Sequence, residues 1–224
     1  MTLEEMVDQT PPGETRTFNS GQTEGEERAG FYHIRSTYLH ENQNLVWLNP
    51  PPLQARPRRQ TINQPKRGVA SGAPYDLEFT GDVSRLADFY NPGTVCFVSD
   101  RLLAILKAFD PDGVDAVAAP LKAGGRIVGF NAFMPARTLV APDVQVSEIS
   151  IAKRVEFGAP VAKVILPTTF RLNPDIDDGV HIFADLAEPK IYWSRALVEA
   201  CKAGGIRGVS ARTTYARSPD TIEM

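Results

Sequence analysis

Three histidines, two cysteines and a run of aspartates are the side chains of this sequence best suited to catalysis or metal binding. His33, His40 and His181 are the natural acid–base and metal-ligating candidates. None of them is paired at the three- or four-residue spacing that brings two imidazoles onto one helix face. His181 lies in Val180-His181-Ile182-Phe183, where alternation puts it on one face of a strand and gives it a surface or structural role. The catalytic alternative pairs it with Asp185 or Asp178 and requires an exposed ring beside one of those carboxylates. Asp175, Asp177, Asp178 and Gly179 resemble a calcium loop in composition, but the glycine and glutamate that such a loop needs are out of place. They read as an acidic turn before a strand. Gly204-Gly205-Ile206-Arg207-Gly208 has the look of a phosphate loop yet follows a helix, whereas anions are held where free amides open one. The motifs of serine hydrolases, zinc proteases and nucleotide-binding loops do not occur. No catalytic residue, metal or cofactor is therefore assigned.

The elements that would position these residues follow from periodicity. Val95-Cys96-Phe97-Val98 reads as a buried strand leading into a helix capped by Ser99, with Leu102, Ile105, Leu106 and Phe109 on one face and Asp110-Pro111-Asp112-Gly113 as its stop. A last helix, capped by Ser194, runs from Arg195 to Ala203 and ends at Gly204. Strands are expected at Phe31 to Ser36, Leu45 to Leu48, Arg126 to Met134, Val146 to Ile151, Val161 to Leu166 and Val180 to Phe183. The fold class is α+β: a mostly antiparallel sheet with two or three packed helices. A single domain covers residues 31–212. Residues 1–30, with seven acids and few apolar groups, are expected as a flexible acidic arm, and residues 213–224 as a tail.

Displacing the chain by 95 residues aligns Ser99 with Ser194, Leu102 with Leu197, Lys107 with Lys202, Ala108 with Ala203, Gly113 with Gly208, Val114 with Val209 and Ala116 with Ala211. Two similar strand–cap–helix units result. They are either pseudo-symmetric parts of one core or one local solution used twice.

These units carry a resemblance. Cys96-Phe97-Val98-Ser99-Asp100-Arg101-Leu102, Gly113-Val114-Asp115-Ala116-Val117, Thr169-Phe170-Arg171, and Ser194-Arg195-Ala196-Leu197 through Ala203-Gly204-Gly205-Ile206-Arg207-Gly208-Val209 make residues 90–210 resemble the Imm11-type, or myxobacterial-type, immunity proteins of bacterial polymorphic toxin systems. The resemblance implies a binding protein that neutralises a cognate toxin in the cell that makes it, without catalysis. Arg195 stands where the family usually carries an acid.

Composition bounds the partners. The 224 residues carry a net charge of −3, so no global field draws the chain to nucleic acid or anionic membrane. Cys96 and Cys201 read as buried thiols of a reducing, cytoplasmic protein, and no eighteen-residue apolar run is present. Locally, residues 50–74 hold six prolines and the cations Arg56, Arg58, Arg59, Lys66 and Arg67 with no acid, which reads as an extended basic crossover. A nucleic-acid adaptor using Arg56 to Arg67 is one alternative function, and an enzyme or toxin using His181 is another. The favoured partner surface combines Tyr75, Asp76, Glu78 and Tyr90 with Asp175, Asp177 and Asp178. There aromatic anchors and carboxylates would meet a basic toxin. Ser99, Ser194 and Gly204 are structural caps.

Overall fold

The computed structural model describes residues 1–19, 30–37, 44–62, 64–145, 147–156, 159–166, 172–188, 190–213 and 221–224. His40 and Thr169-Phe170-Arg171 lie outside them. The described helices are α1 (Leu3–Asp8), α2 (Asp100–Phe109) and α3 (Arg195–Ala203). The strands of the first half are β1 (Thr15–Phe18), β2 (Phe31–Ser36), β3 (Leu45–Trp47), β4 (Leu77–Phe79), β5 (Phe89–Tyr90), β6 (Cys96–Ser99), β7 (Val114–Ala118) and β8 (Leu121–Ala123). Those of the second half are β9 (Arg126–Val128), β10 (Phe130–Pro135), β11 (Thr138–Leu139), β12 (Ile149–Glu156), β13 (Ala159–Ile165), β14 (Ile182–Asp185), β15 (Ile191–Ser194), β16 (Val209–Thr213) and β17 (Thr221–Glu223).

The fold is α+β, with its strands in four sheets rather than one: β1-β12-β13, β5-β6-β10-β7, β11-β14-β15-β2-β16-β17 and β3-β4-β8-β9. Pairing is antiparallel except at β11 with β14 and β4 with β8. The strand–cap–helix units prove to be pseudo-symmetric parts of one core. In one, β6 and β7 flank the antiparallel strand β10 and are joined through α2. In the other, β15 and β16 flank β2 in the same way and are joined through α3. A further antiparallel strand lies outside each, β5 beside β6 and β14 beside β15. The two units differ in where the middle strand comes from. The chain supplies β10 after its helix and β2 long before its helix, which is why a linear sequence offset sees only the strand, cap and helix.

Both units empty their apolar faces into one cluster: Cys96, Val98, Leu102, Leu106 and Phe133 from one, and Ile34, Trp193, Leu197, Cys201 and Val209 from the other. Strand alternation divides the remaining residues. Phe97, Phe130, Ala132 and Met134 face the sheet β3-β4-β8-β9 instead. Phe31, Phe183 and Tyr192 face a cluster completed by Ala141 and Leu172. β10 is thus buried on both faces along its length, whereas β2 leaves Arg35 exposed on the face that carries Phe31.

Three expected segments differ. Residues 3–18 of the acidic arm form α1 and β1. Thr2 and Glu5 exchange the reciprocal bonds of a capping box, Thr2 N donating to Glu5 Oε2 at 2.7 Å and Glu5 N to Thr2 Oγ1 at 3.2 Å. Leu3 and Met6 are buried against Ile149, Ile151 and Val164, and β1 pairs with β12. Two well-spaced apolar residues and a cap hold this segment against its acidic composition. Residues 50–74 are not an extended crossover either: backbone bridges join Arg58 to Arg67 and Thr61 to Gln64, and two short 3-10 turns cover Leu53–Ala55 and Val69–Gly72. The end of the tail returns as β17, paired with β16.

Candidate functional site

The cap serines are the best-defined polar positions of the core. Ser99 Oγ accepts from Leu102 N at 3.2 Å and Ser194 Oγ accepts from Leu197 N at 3.2 Å, closing the first turn of each helix. Each hydroxyl also meets the residue that precedes the outer strand of its own unit. Ser99 Oγ donates to Asp88 Oδ1 at 2.6 Å, and Ser194 Oγ lies 2.8 Å from His181 Nδ1. Asp88 and His181 in turn bind the chain just beyond the opposite unit's helix. Arg207 N donates to Asp88 Oδ2 at 2.9 Å, and His181 N donates to Asp110 Oδ2 at 3.0 Å. The two contacts are related as the two units are, so each helix start is tied to the end of the other helix. Arg101 reinforces the first contact, donating to Asp88 Oδ2 at 2.6 Å and to the Gly205 carbonyl at 3.0 Å. Arg137 reinforces the second, reaching both oxygens of Asp110 at 2.6 Å. Burial, the largest influence on Asp110, pushes its carboxyl up. The hydrogen bonds from Arg137 and from the His181 and Ile182 amides, with the Arg137 charge, outweigh it and hold the group below the ordinary carboxylate value.

This arrangement answers the catalytic alternative for His181. Its Nδ1 serves the cap serine, its ring packs edge-on against Phe109 at 5.5 Å, and the carboxylate it meets, Asp110, binds its backbone rather than its ring. Neither Asp185 nor Asp178 is among these contacts. Asp185 is instead buried, one oxygen accepting from Ala141 N at 3.1 Å and Ala187 N at 3.0 Å. Burial raises its pKa to about 7. His33 is pushed the other way, to about 3, chiefly by burial and then by Arg35 and other nearby cations. Both cysteines are buried free thiols, raised by burial to about 11 at Cys96 and about 12 at Cys201, so neither is an activated nucleophile. Among the described residues no group of three His, Cys, Asp or Glu side chains could hold a metal ion, and no helix is long and apolar enough to cross a membrane.

The expected partner surface divides. Tyr75 and Tyr90 are 4% and 0% exposed, so they are core residues and not interface anchors. Tyr75 packs against Trp47 and Phe97 and donates its hydroxyl to the Val69 carbonyl at 2.7 Å. Tyr90 packs against Phe79 and Phe130, its hydroxyl accepting from Ala87 N at 2.9 Å. Their acidic neighbours had suggested exposure, but Asp88, two residues before Tyr90, is itself buried and bound by Ser99, Arg101 and the Arg207 amide. Asp76 is half-buried and bound by Asn49 at 3.2 Å and Lys122 at 3.6 Å. Glu78 is exposed on β4. Asp175, Asp177 and Asp178 are exposed ahead of β14, with Asp177 closing its own turn by accepting from Gly179 N at 2.8 Å. Gly204 ends α3, but the left-handed residue is Gly205, at φ +63°. Gly205 N and Ile206 N donate back to the carbonyls of Lys202 and Cys201, both at 3.0 Å.

The basic segment contributes a concavity that the sequence did not announce. A groove of about 990 Å³ opens between β3, the 53–64 turn and the loop entering β6, lined by Trp47, Leu53, Arg56, Arg58, Gly93 and Phe97 among others. Arg59 is buried behind it, one guanidinium nitrogen 3.4 Å from the Gly93 carbonyl and 3.6 Å from Cys96 Sγ. Lys66 is paired with Asp115 at 3.0 Å. The signal available in the sequence was a tryptophan on a short strand followed by a proline-rich basic stretch. Distance along the chain concealed that Pro92 to Phe97 forms the opposite wall.

Asp88, Asp110 and His181 are thus committed to holding the core, and the groove is lined by apolar and cationic groups. A family model described as an immunity protein family, Imm11, matches residues 31–216. No curated protein matches the chain.

Proposed function

Because the chain belongs to the Imm11 immunity protein family, we propose that it binds a cognate bacterial toxin and neutralises it by stoichiometric contact in the cytoplasm of the producing cell. The family match is the observation that carries this reading. It takes in both pseudo-symmetric units and the groove, and leaves out α1 and β1, which dock on β12 from outside the matched region. The interior supports the same conclusion. Asp88 is held by Ser99 and the Arg207 amide, and His181 by Ser194 and Asp110, an arrangement that rigidifies a scaffold. A rigid scaffold binds with little ordering cost. In this proposal the toxin belongs to a polymorphic toxin system, and inhibition comes from covering its active site or holding it in an inactive form. The exposed carboxylates of Glu78, Asp175 and Asp178 offer a surface for a basic toxin.

The test is growth rescue with purification. The tagged chain is recovered from its native cell, and any stoichiometric partner is identified by mass and expressed alone. The expected result is a partner that arrests growth by itself and is silenced when this chain is co-expressed. Growth arrest that persists despite soluble co-expression refutes the proposal. Lysine at Glu78, Asp175 and Asp178 together is expected to weaken the complex at least tenfold if that surface is used.

A further inference from the structure

The groove beside β3 differs from the rest of the surface in three independent ways. The first is aromatic: Trp47 lies on Tyr75 with ring centroids 4.8 Å apart and meets the edge of Phe97 at 6.4 Å, giving the groove an apolar floor. The Trp47 indole Nε1 is buried and has no hydrogen-bond partner among the described residues.

The second is electrostatic. Arg56 Nε and Arg58 Nε donate to the carbonyls of Pro51 and Pro65, both at 2.9 Å, and a terminal nitrogen of Arg58 reaches Gln64 at 3.3 Å. These bonds fix the side chains without neutralising them, and among the described residues no carboxylate pairs with either. The groove rim is therefore positive on a chain of net charge −3. Pro50, Pro57 and Pro92 stiffen its walls, and Leu53 stands 75% exposed at its lip.

The third is the backbone. β3 is an edge strand of β3-β4-β8-β9. Thr80 N donates to Asn44 O and Leu48 N to Asp76 O, so even-numbered positions face β4, and the amides and carbonyls of Leu45 and Trp47 point away from it. Both residues line the groove. Among the described residues no strand pairs with that edge, which gives an incoming extended chain a template.

We propose that this groove takes an extended, acidic segment of the partner polypeptide, with apolar side chains on the Trp47 floor, carboxylates against Arg56 and Arg58, and its backbone along the free edge of β3. The proposal rests on the reading that this chain is an immunity protein, because it names the chemistry of the toxin segment that is held. A nucleic acid would satisfy the arginines but could not use the strand edge. The groove thus complements the exposed carboxylates on Glu78 and at the turn before β14, and a partner using both would present surfaces of opposite sign.

The probe is a synthetic nonapeptide of alternating glutamate and leucine, titrated into the isotope-labelled full chain while the indole resonances are followed. With only two tryptophans, Trp47→Phe assigns the signal. Expected is a saturable shift of the Trp47 indole resonance alone. Arg56→Gln with Arg58→Gln should weaken it at least tenfold, as should raising the salt to about 0.5 M, and a lysine-for-glutamate peptide should leave the resonance in place. Equal response to both peptides, no response, or a response to an oligothymidine in place of the acidic peptide each overturns the proposal. The double variant is then carried into growth rescue. If the unmodified chain rescues and the double variant rescues with the same toxin affinity, the groove assignment falls and the immunity reading stands. If the unmodified chain fails to rescue, the immunity reading falls.

Discussion

Replacing Ser99 by alanine tests whether the cap serines join the two units or merely start two helices. The substitution removes the bond from Leu102 N, worth about 1 kcal/mol as a helix cap, and the 2.6 Å bond to Asp88. Hydrogen bonds to charged groups are worth about 1.5–3 kcal/mol. The lower end applies here, because Asp88 keeps Arg101 and the Arg207 amide. The sum is about 2.5 kcal/mol. At Ser194 the same cap is lost with the hydrogen bond to the His181 ring, about 2 kcal/mol together. For a chain of this size each kcal/mol moves Tm by roughly 2–4 °C, so Ser99→Ala should melt about 5–10 °C low and Ser194→Ala about 4–8 °C low. Urea unfolding followed through the fluorescence of the fully buried Trp193 reads the free energies directly. Combining Ser99→Ala with Asp88→Ala should give a double-mutant coupling of about 1–2 kcal/mol. If both serine variants lose only about 1 kcal/mol and the cycle is additive, the outer hydrogen bonds add nothing and the network argument is wrong.

Three further outcomes are expected. Leu3→Ala should cost about 2–5 kcal/mol by emptying a fully buried site; a loss near zero in urea unfolding would mean that α1 does not hold its place. Asp185 has a native pKa near 7 against about 4 unfolded, so its contribution is present below about pH 4 and lost as pH rises to about 7. The stability difference between Asp185→Asn and the unmodified chain should therefore swing in favour of asparagine by about 4 kcal/mol between pH 4 and 8, and a pH-independent difference would contradict the buried-acid account. Gly205→Ala should cost about 1 kcal/mol because its φ of +63° disfavours a Cβ; an unchanged midpoint in thermal unfolding would count against the left-handed cap.

The helices were legible because their signals are local. The Ser99 and Ser194 caps, the apolar spacing of Leu102 and Leu106, and the glycines after Ala203 act within one or two turns, so each is written within a dozen residues. The N-terminal helix was written just as locally, in Thr2, Glu5, Leu3 and Met6, but seven acids in the first thirty residues hid a capping box that composition cannot detect. Tyr75 and Tyr90 were hidden for the opposite reason: the cluster that buries them is assembled from segments distant in the chain, which their acidic neighbours do not record.

Local patterns along the chain settle the α+β class, the two capped units and the resemblance to an immunity family, because those rest on periodicity, capping and turn chemistry that neighbouring residues decide among themselves. Long-range packing settled that the units share one core with their middle strands drawn from opposite parts of the chain. It also decided that Asp88 and His181 serve each other's helices, and that Trp47, Arg58 and Phe97 meet across a groove. Those relations join residues far apart, 119 positions for Asp88 and Arg207 and 177 for Ile34 and Ala211 across β2 and β16. Contacts at such separations are selected by the burial of whole faces, which no local pattern records.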